Sequence, residues 1–279
     1  MHAPEPAEPW DGIYNAQQLG ASCQVEEDCL YLNVATPKLP SDGTLLPTIV
    51  YIHGGSFLAG SGGGFIEWSD YYLQNDIVFV SINYRLGPLG FLSTGDSVVP
   101  GNNGLKDQNF ALRWVKQNIA QFGGDPSRIT ICGLSAGGAS IHYQLLSPLS
   151  KGLFQGAIAE SGSALNPWSF DETSTARSRT LRYGQALLAN TNDSQTLVDY
   201  LRTLSFQELL DGVQITMTEL VFLNPEKFEY YNNNFDLVLP RNLALDKNTS
   251  LQVAEVVKKF YFGDKKLSQE TLIQYINFS

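Results

Sequence analysis

Residues Arg128 to Gly138, Arg-Ile-Thr-Ile-Cys-Gly-Leu-Ser-Ala-Gly-Gly, constrain the fold of this chain more than any other stretch. They read as a short apolar strand ending in Gly-x-Ser-x-Gly, followed by Ala139-Ser140-Ile141-His142-Tyr143-Gln144-Leu145-Leu146, which suits a helix. A strand that hands over to a helix so abruptly needs a sharp turn, with glycines where strained backbone and a close helix leave no room for side chains. Such a turn lifts the hydroxyl of Ser135 above the sheet and makes it a candidate nucleophile. It also places the amide of Ala136 at a helix start, aimed at any negative oxygen forming on a bound ester.

Gly-x-Ser-x-Gly alone is weak evidence, since about one chain in ten of this size contains it by chance. The setting makes it specific. A strand precedes it, a helix follows it, and upstream His53-Gly54-Gly55-Ser56-Phe57 supplies a matching candidate oxyanion loop.

The strand that feeds this loop, Thr48 to His53, is an unbroken apolar run of the kind buried on both faces of a parallel sheet. Leu30 to Val34, Ile77 to Tyr84 and Gly156 to Gly162 read as further strands, the last of them buried. Gly60 to Gly64 read as a flexible loop, and the Gly- and Pro-punctuated stretch through Gly104 as another. Between Leu105 and Phe122, Phe110, Trp114, Val115 and Ile119 recur at helical spacing, and Gly123-Gly124-Asp125-Pro126 stops that helix. Strands separated by helices predict an α/β fold, a mostly parallel, doubly wound sheet. Beyond Trp168 the pattern is helical: Thr173 to Ala189, Gln195 to Leu204, Phe206 to Gly212, Leu251 to Phe260 and Ser268 to Phe278. No linker or repeat divides the 279 residues, so one domain over 1–279 is expected.

The formal charge of -10 is spread along the chain, which argues against nucleic acid or an anionic membrane as partner. No segment has the apolar length of a membrane helix, and the start lacks a signal peptide's apolar core. Cys23 and Cys29 are close enough to bridge, whereas Cys132 sits in the elbow strand and reads as a buried free thiol. Three triplets, at Asn192, Asn248 and Asn277, fit the N-glycosylation pattern, a common one. Nothing in the pattern calls for a metal or a cofactor.

Taken together, Glu27-Asp28-Cys29-Leu30-Tyr31-Leu32-Asn33-Val34, His53-Gly54-Gly55, Asn83-Tyr84-Arg85, Gly101-Asn102-Asn103-Gly104-Leu105-Lys106-Asp107-Gln108, Phe122-Gly123-Gly124-Asp125-Pro126 and Gly133-Leu134-Ser135-Ala136-Gly137 resemble the type-B carboxylesterases of the α/β-hydrolase fold, insect members above all. The resemblance implies a mostly parallel central sheet flanked by helices and hydrolysis of small carboxylic esters by a triad in the order Ser, Glu, His. It makes Ser135 the nucleophile and the amides of Gly54, Gly55 and Ala136 the oxyanion hole. It also matches Cys23 and Cys29 to a family disulfide, in a shorter loop, and implies a secreted protein. Residue 134 is Leu where the cholinesterases have Glu, which turns the expectation away from choline esters.

The acid expected after the serine is best matched by Glu219 in Met217-Thr218-Glu219-Leu220, with Leu220 where the family has Gly and a compressed stretch before it. The general base has no match. The three histidines are His2, His53 and His142, all upstream of Glu219. His53 belongs to the oxyanion loop, and His142 lies about 9 Å along the helix from Ala136, too far to take the serine's proton directly. The expectation is therefore a partial esterase, truncated at both ends and nearly inactive alone. The alternative is a non-catalytic interaction protein on the same fold.

Overall fold

Leu46–Ile52 (β2) is the middle of a five-stranded sheet in the computed structural model. Its side chains alternate between buried and half-buried, so both faces are covered, as its uninterrupted apolar sequence requires. It pairs in parallel with Val78–Ile82 (β3) and with Gly124–Leu134 (β4), while Leu32–Ala35 (β1) runs antiparallel to β3 and Gly156–Glu160 (β5) parallel to β4. The order is β1-β3-β2-β4-β5. A mostly parallel sheet with intervening helices has formed, as the alternation of patterns predicts.

The structure describes residues 3–8, 10–12, 16, 18–26, 28–38, 43–221, 233 and 246–266. They fall into two compact units, Met1–Val213 and Gln214–Ser279. The first holds the sheet and the helices Ser69–Leu73 (α1), Gly87–Phe91 (α2), Asn103–Asn118 (α3), Ala136–Leu146 (α4), Thr173–Ala186 (α5) and Ser194–Leu201 (α6). Phe206–Val221 (α7) begins in the first unit, and Lys247–Phe262 (α8) lies in the second. The helix expected at Ser268 to Phe278 lies outside the described residues.

The main core is aliphatic: Val50, Ile52, Val78, Val80, Ile82, Leu112, Val115, Ile119, Ile129, Ile131 and Ile141 pack between sheet and helices. A second cluster joins Leu92 and Val99 to Tyr183 of α5 and to Leu197, Val198 and Leu201 of α6.

Four details depart from the sequence reading. First, α1 and α2 are short helices within stretches that lack enough periodic residues to announce one. Second, β4 starts at Gly124 rather than near Arg128: Leu46 faces Gly124 and Thr48 faces Ile129, so residues 125–128 bulge out of register. Third, β5 is the end strand of the described sheet, and Ile158, Ala159 and Glu160 are exposed rather than buried. Fourth, the buried side of α3 includes Asp107, Gln108 and Asn109, whereas Phe110 and Trp114 are only partly covered. Asp107 is paired with Arg85, and Gln108 and Asn109 belong to a continuous chain. Gln108 Nε2 donates to Ser140 Oγ (3.0 Å), Gln144 Nε2 to Gln108 Oε1 (3.3 Å), Ser150 Oγ to Gln144 Oε1 (2.6 Å) and Asn109 Nδ2 to Ser150 Oγ (2.8 Å). The elbow helix is thereby fastened to α3.

Candidate active site

Between β4 and α4 the chain turns on a single residue. Ser135 has φ 58° and ψ -119°, a conformation that L residues rarely adopt and that persists only when the surroundings impose it. Here they do. Its N–H donates to Glu160 O at the end of β5 (2.8 Å), and its carbonyl accepts from Ala139 N–H of α4 (3.0 Å). On the β5 side Gly162 packs so closely on Ser135 O that a Cβ there would collide with it. Ala136, fully buried, is the first residue of α4, so its N–H is one of the helix-start donors without an intrahelical partner.

The upstream loop meets the elbow from β2. A Cβ added to Gly54 would lie 2.5 Å from Leu134 O and 3.2 Å from Ser135 Cβ, so only glycine allows this approach. Gly55 (φ 109°), Ser56 (φ 57°) and Phe57 (φ 60°) then turn the chain in the left-handed region. The turn is closed by Leu58 and Ala59, whose amides both donate to Gly55 O at 2.9 Å. The structure thus brings Ser135, Gly54, Gly55 and Ala136 into one place. Phe57 adds a wall with Trp168, their rings 6.5 Å apart. Leu58 also lines a cavity of about 190 Å³ with Leu86, Leu89, Leu209 and Val213.

His53 supports this loop from beneath. It is 1% exposed and stacks on Tyr84 (4.4 Å), whose hydroxyl donates to His53 O (2.9 Å). Its Nδ1 lies 2.8 Å from Gly54 O, and Nε2 has no partner. Burial pushes its pKa down to about 4, so the ring is neutral near pH 7. His142 is held by the loop after β5: its Nδ1 accepts from Ala164 N–H (3.3 Å) and lies 3.3 Å from Ser163 Oγ. Neither ring hydrogen-bonds to Ser135 Oγ, and His2 lies outside the described residues.

Cys132 is a free, buried thiol on β4, as expected. Burial, and secondarily the charge of Glu160, raise its pKa to about 11, which keeps it protonated; its Sγ is 3.7 Å from Glu160 Oε1. In that form it is a poor nucleophile. Cys23 and Cys29 form a disulfide. Asp107 and Asp125 hold structure: Asp107 forks with Arg85, and Asp125 receives Ser127 and Arg128. Glu219 falls in the last turn of α7, and its side chain lies outside the described residues. Among the described residues no group of three or more His, Cys, Asp or Glu gathers to hold a metal. Nor is any described helix long and apolar enough to cross a membrane.

The bracing by Glu160 O and Gly162 was not visible in sequence. The only cue was a Glu-Ser-Gly at the end of the fifth strand, with nothing to connect it to Ser135.

A parallel sheet with a strained serine between strand and helix, met by a glycine loop from the neighbouring strand, defines an α/β-hydrolase. Within that fold the chain belongs to the Carboxylesterase family, whose model matches residues 2–236. It is similar to Esterase FE4 of Myzus persicae, with 39% identity over 337 aligned positions covering 96% of this chain and 59% of that protein. It is also similar to Venom carboxylesterase-6 of Apis mellifera (50% over 177 positions, 63% of this chain and 31% of the relative). Cocaine esterase of Oryctolagus cuniculus matches at 43% over 239 positions, 77% of this chain and 44% of that protein. The chain spans about three fifths or less of the length of these curated relatives. The 337 positions aligned with Esterase FE4 exceed the 279 residues here, so that alignment crosses segments with no counterpart in this chain.

Proposed function

We propose that this chain carries the nucleophile and oxyanion half of a carboxylic-ester hydrolase. The observation that carries the reading is Ser135 held at φ 58° with Gly54 packed against its Cβ. Ser135 Oγ attacks the ester carbonyl carbon, and the carbonyl electrons move onto oxygen. The amides of Gly54, Gly55 and Ala136 receive that charge, each donor contributing on the order of 10² to 10³ in turnover. Collapse expels the alcohol and leaves an acyl-serine, which water then cleaves. Leu134 beside the serine, where the cholinesterases carry Glu, supports an uncharged ester over a choline ester.

Glu219 is the candidate acid of the triad. The proton of Ser135 has no acceptor among the described histidines, so turnover by these 279 residues alone is slow. Loss of the base in another triad enzyme costs on the order of 10⁶. The gap between 337 aligned positions and 279 residues supports a chain that lacks segments of its relatives. The Cys23–Cys29 bridge supports an oxidising, secretory or extracellular location.

The test is hydrolysis of p-nitrophenyl acetate by wild type and Ser135→Ala, with mass spectrometry for an acylated Ser135. Slow acylation at Ser135 with turnover near the solvent rate is expected. Fast turnover abolished by Ser135→Ala would overturn the claim that the base is missing. Acylation elsewhere, with none at Ser135, would overturn the site itself.

A further inference from the structure

Two carbonyls of the oxyanion loop are held from beneath, and each is the far end of an amide that the loop presents. A trans peptide is planar, so its C=O and the N–H that follows point in opposite directions, and whatever holds the carbonyl aims the amide. In the 53–54 peptide the carbonyl of His53 accepts from Tyr84 Oη (2.9 Å), which turns the N–H of Gly54 the other way. In the 54–55 peptide the carbonyl of Gly54 lies 2.8 Å from His53 Nδ1. A carbonyl can only accept, so Nδ1 carries the ring proton and the N–H of Gly55 is turned away from the imidazole. Among the described residues no carbonyl takes either amide.

We propose that Tyr84 is a positioning residue of the oxyanion hole. Its hydroxyl fixes the plane that carries the Gly54 amide, and its ring, stacked on His53 at 4.4 Å, steadies the imidazole that fixes the plane carrying the Gly55 amide. The inference rests on reading these amides as the oxyanion donors. Such donors act only when aimed at the place where the negative oxygen forms, so a residue that never touches the ester can still set the rate.

Tyr84 is well anchored for the task. It is 0% exposed and lies two residues past β3. Its neighbours are tied down on either side: Asn83 Nδ2 donates to Ala21 O and Cys29 O, both at 2.9 Å, and Arg85 Nη2 to Asp107 Oδ1. Burial pushes the phenol's pKa up, so the hydroxyl keeps the proton that it donates. Gly60 packs over the imidazole so closely that a Cβ there would lie 2.3 Å from His53 Nδ1 and 2.7 Å from Gly54 O. His53 Nε2 has no partner among the described residues, so the ring's one hydrogen bond is the one to the loop.

The test compares p-nitrophenyl acetate with its thionoester, in which sulfur replaces the carbonyl oxygen. Both release p-nitrophenolate as Ser135 Oγ is acylated, and mass spectrometry locates the acyl group. Sulfur is larger and a weaker acceptor, so the ester-to-thionoester ratio of acylation rates, divided by the same ratio for hydroxide, reads the aim of the amides. A loss of stability alone slows both substrates alike. Wild type is expected to favour the ester. Tyr84→Phe is expected to lower the ratio about tenfold, less than the factor of about 10² to 10³ for deleting a donor, because the amides are misaimed rather than removed. Tyr183→Phe is the control: Tyr183 is 6% exposed and its hydroxyl donates to Leu209 O (2.7 Å) in the second core cluster, so a similar bond is lost and the ratio stays at the wild-type value. p-Aminophenylalanine in place of Tyr84 keeps the shape and a weaker donor; it is expected to give an intermediate ratio, and it carries the test if Tyr84→Phe does not fold. A wild-type ratio in either variant at position 84, or an equal fall in Tyr183→Phe, overturns this inference alone. Wild type that fails to discriminate the two substrates, or is not acylated at Ser135, overturns the oxyanion reading and this inference with it.

Discussion

Replacing Asp107 with Asn is expected to destabilise this protein far more than the change of one atom suggests. Asp107 is 1% exposed and Arg85 13%. The carboxylate meets Arg85 three times: Oδ2 accepts from its backbone N–H (3.0 Å) and Nε (2.8 Å), and Oδ1 from Nη2 (2.6 Å). Asparagine keeps the shape and one acceptor, but it turns an NH₂ group toward a donor and leaves the guanidinium buried without a counter-charge. Breaking one side of a buried pair typically costs 3 to 5 kcal/mol, and the retained acceptor puts this change near the lower figure, about 3 kcal/mol. With a urea slope of about 2 kcal/mol per molar, the unfolding midpoint followed by circular dichroism falls by about 1.5 M. Asp125→Asn is the control. Its partner Arg128 is half exposed, so the loss is expected to stay within about 1 kcal/mol and to shrink further in about 1 M NaCl. The Asp107 effect persists in salt. Equal shifts for the two variants, or an Asp107→Asn shift that salt removes, would refute the reasoning.

Two further outcomes follow from the site. The folded pKa of His53, about 4, lies below its ordinary 6.5, so its neutral form stabilises the fold fully above pH 6.5 and that contribution is lost as pH falls toward 4. About 2 kcal/mol should be gone by pH 5, and His53→Gln should flatten this part of the stability profile; a wild-type profile unchanged between pH 7.5 and 5 would contradict it. Gly54→Ala puts a methyl group against Leu134 O and Ser135 Cβ, and should cost about 1 to 3 kcal/mol in urea unfolding while slowing acylation of Ser135. An unaltered acylation rate would mean that Gly54 does not define the oxyanion position.

What could be read from sequence was whatever rests on local chemistry. The runs at 48–53 and 77–84 have nowhere to go but a buried parallel sheet, and a serine between glycines at the end of a strand leaves little choice of turn. Cys132 reads correctly as a buried thiol because it follows Ile129 and Ile131 in a mainly apolar strand. What could not be read rests on contacts far apart in the chain. Asp107, Gln108 and Asn109 look like the wet side of a helix, and only Arg85, Ser140 and Ser150, brought in from elsewhere, make burial tolerable. The exposed face of β5 is a matter of its place at the end of the described strand order, which apolar content alone does not encode. The bulge at 125–128 depends on where β2 is met, and hence on a strand about eighty residues earlier.

The amide and hydroxyl chain through Gln108, Ser140, Gln144, Ser150 and Asn109 has a consequence for how this sequence can vary. Each member uses its neighbour's donor or acceptor, so changing any one leaves an unmatched polar atom in the interior, whereas replacing facing members together with apolar residues of similar shape need not. Substitutions along it are therefore tolerated in sets rather than singly. Because Ser140 and Gln144 lie on the helix that starts beside Ser135, the residues able to drift only in company include those that hold that helix in place.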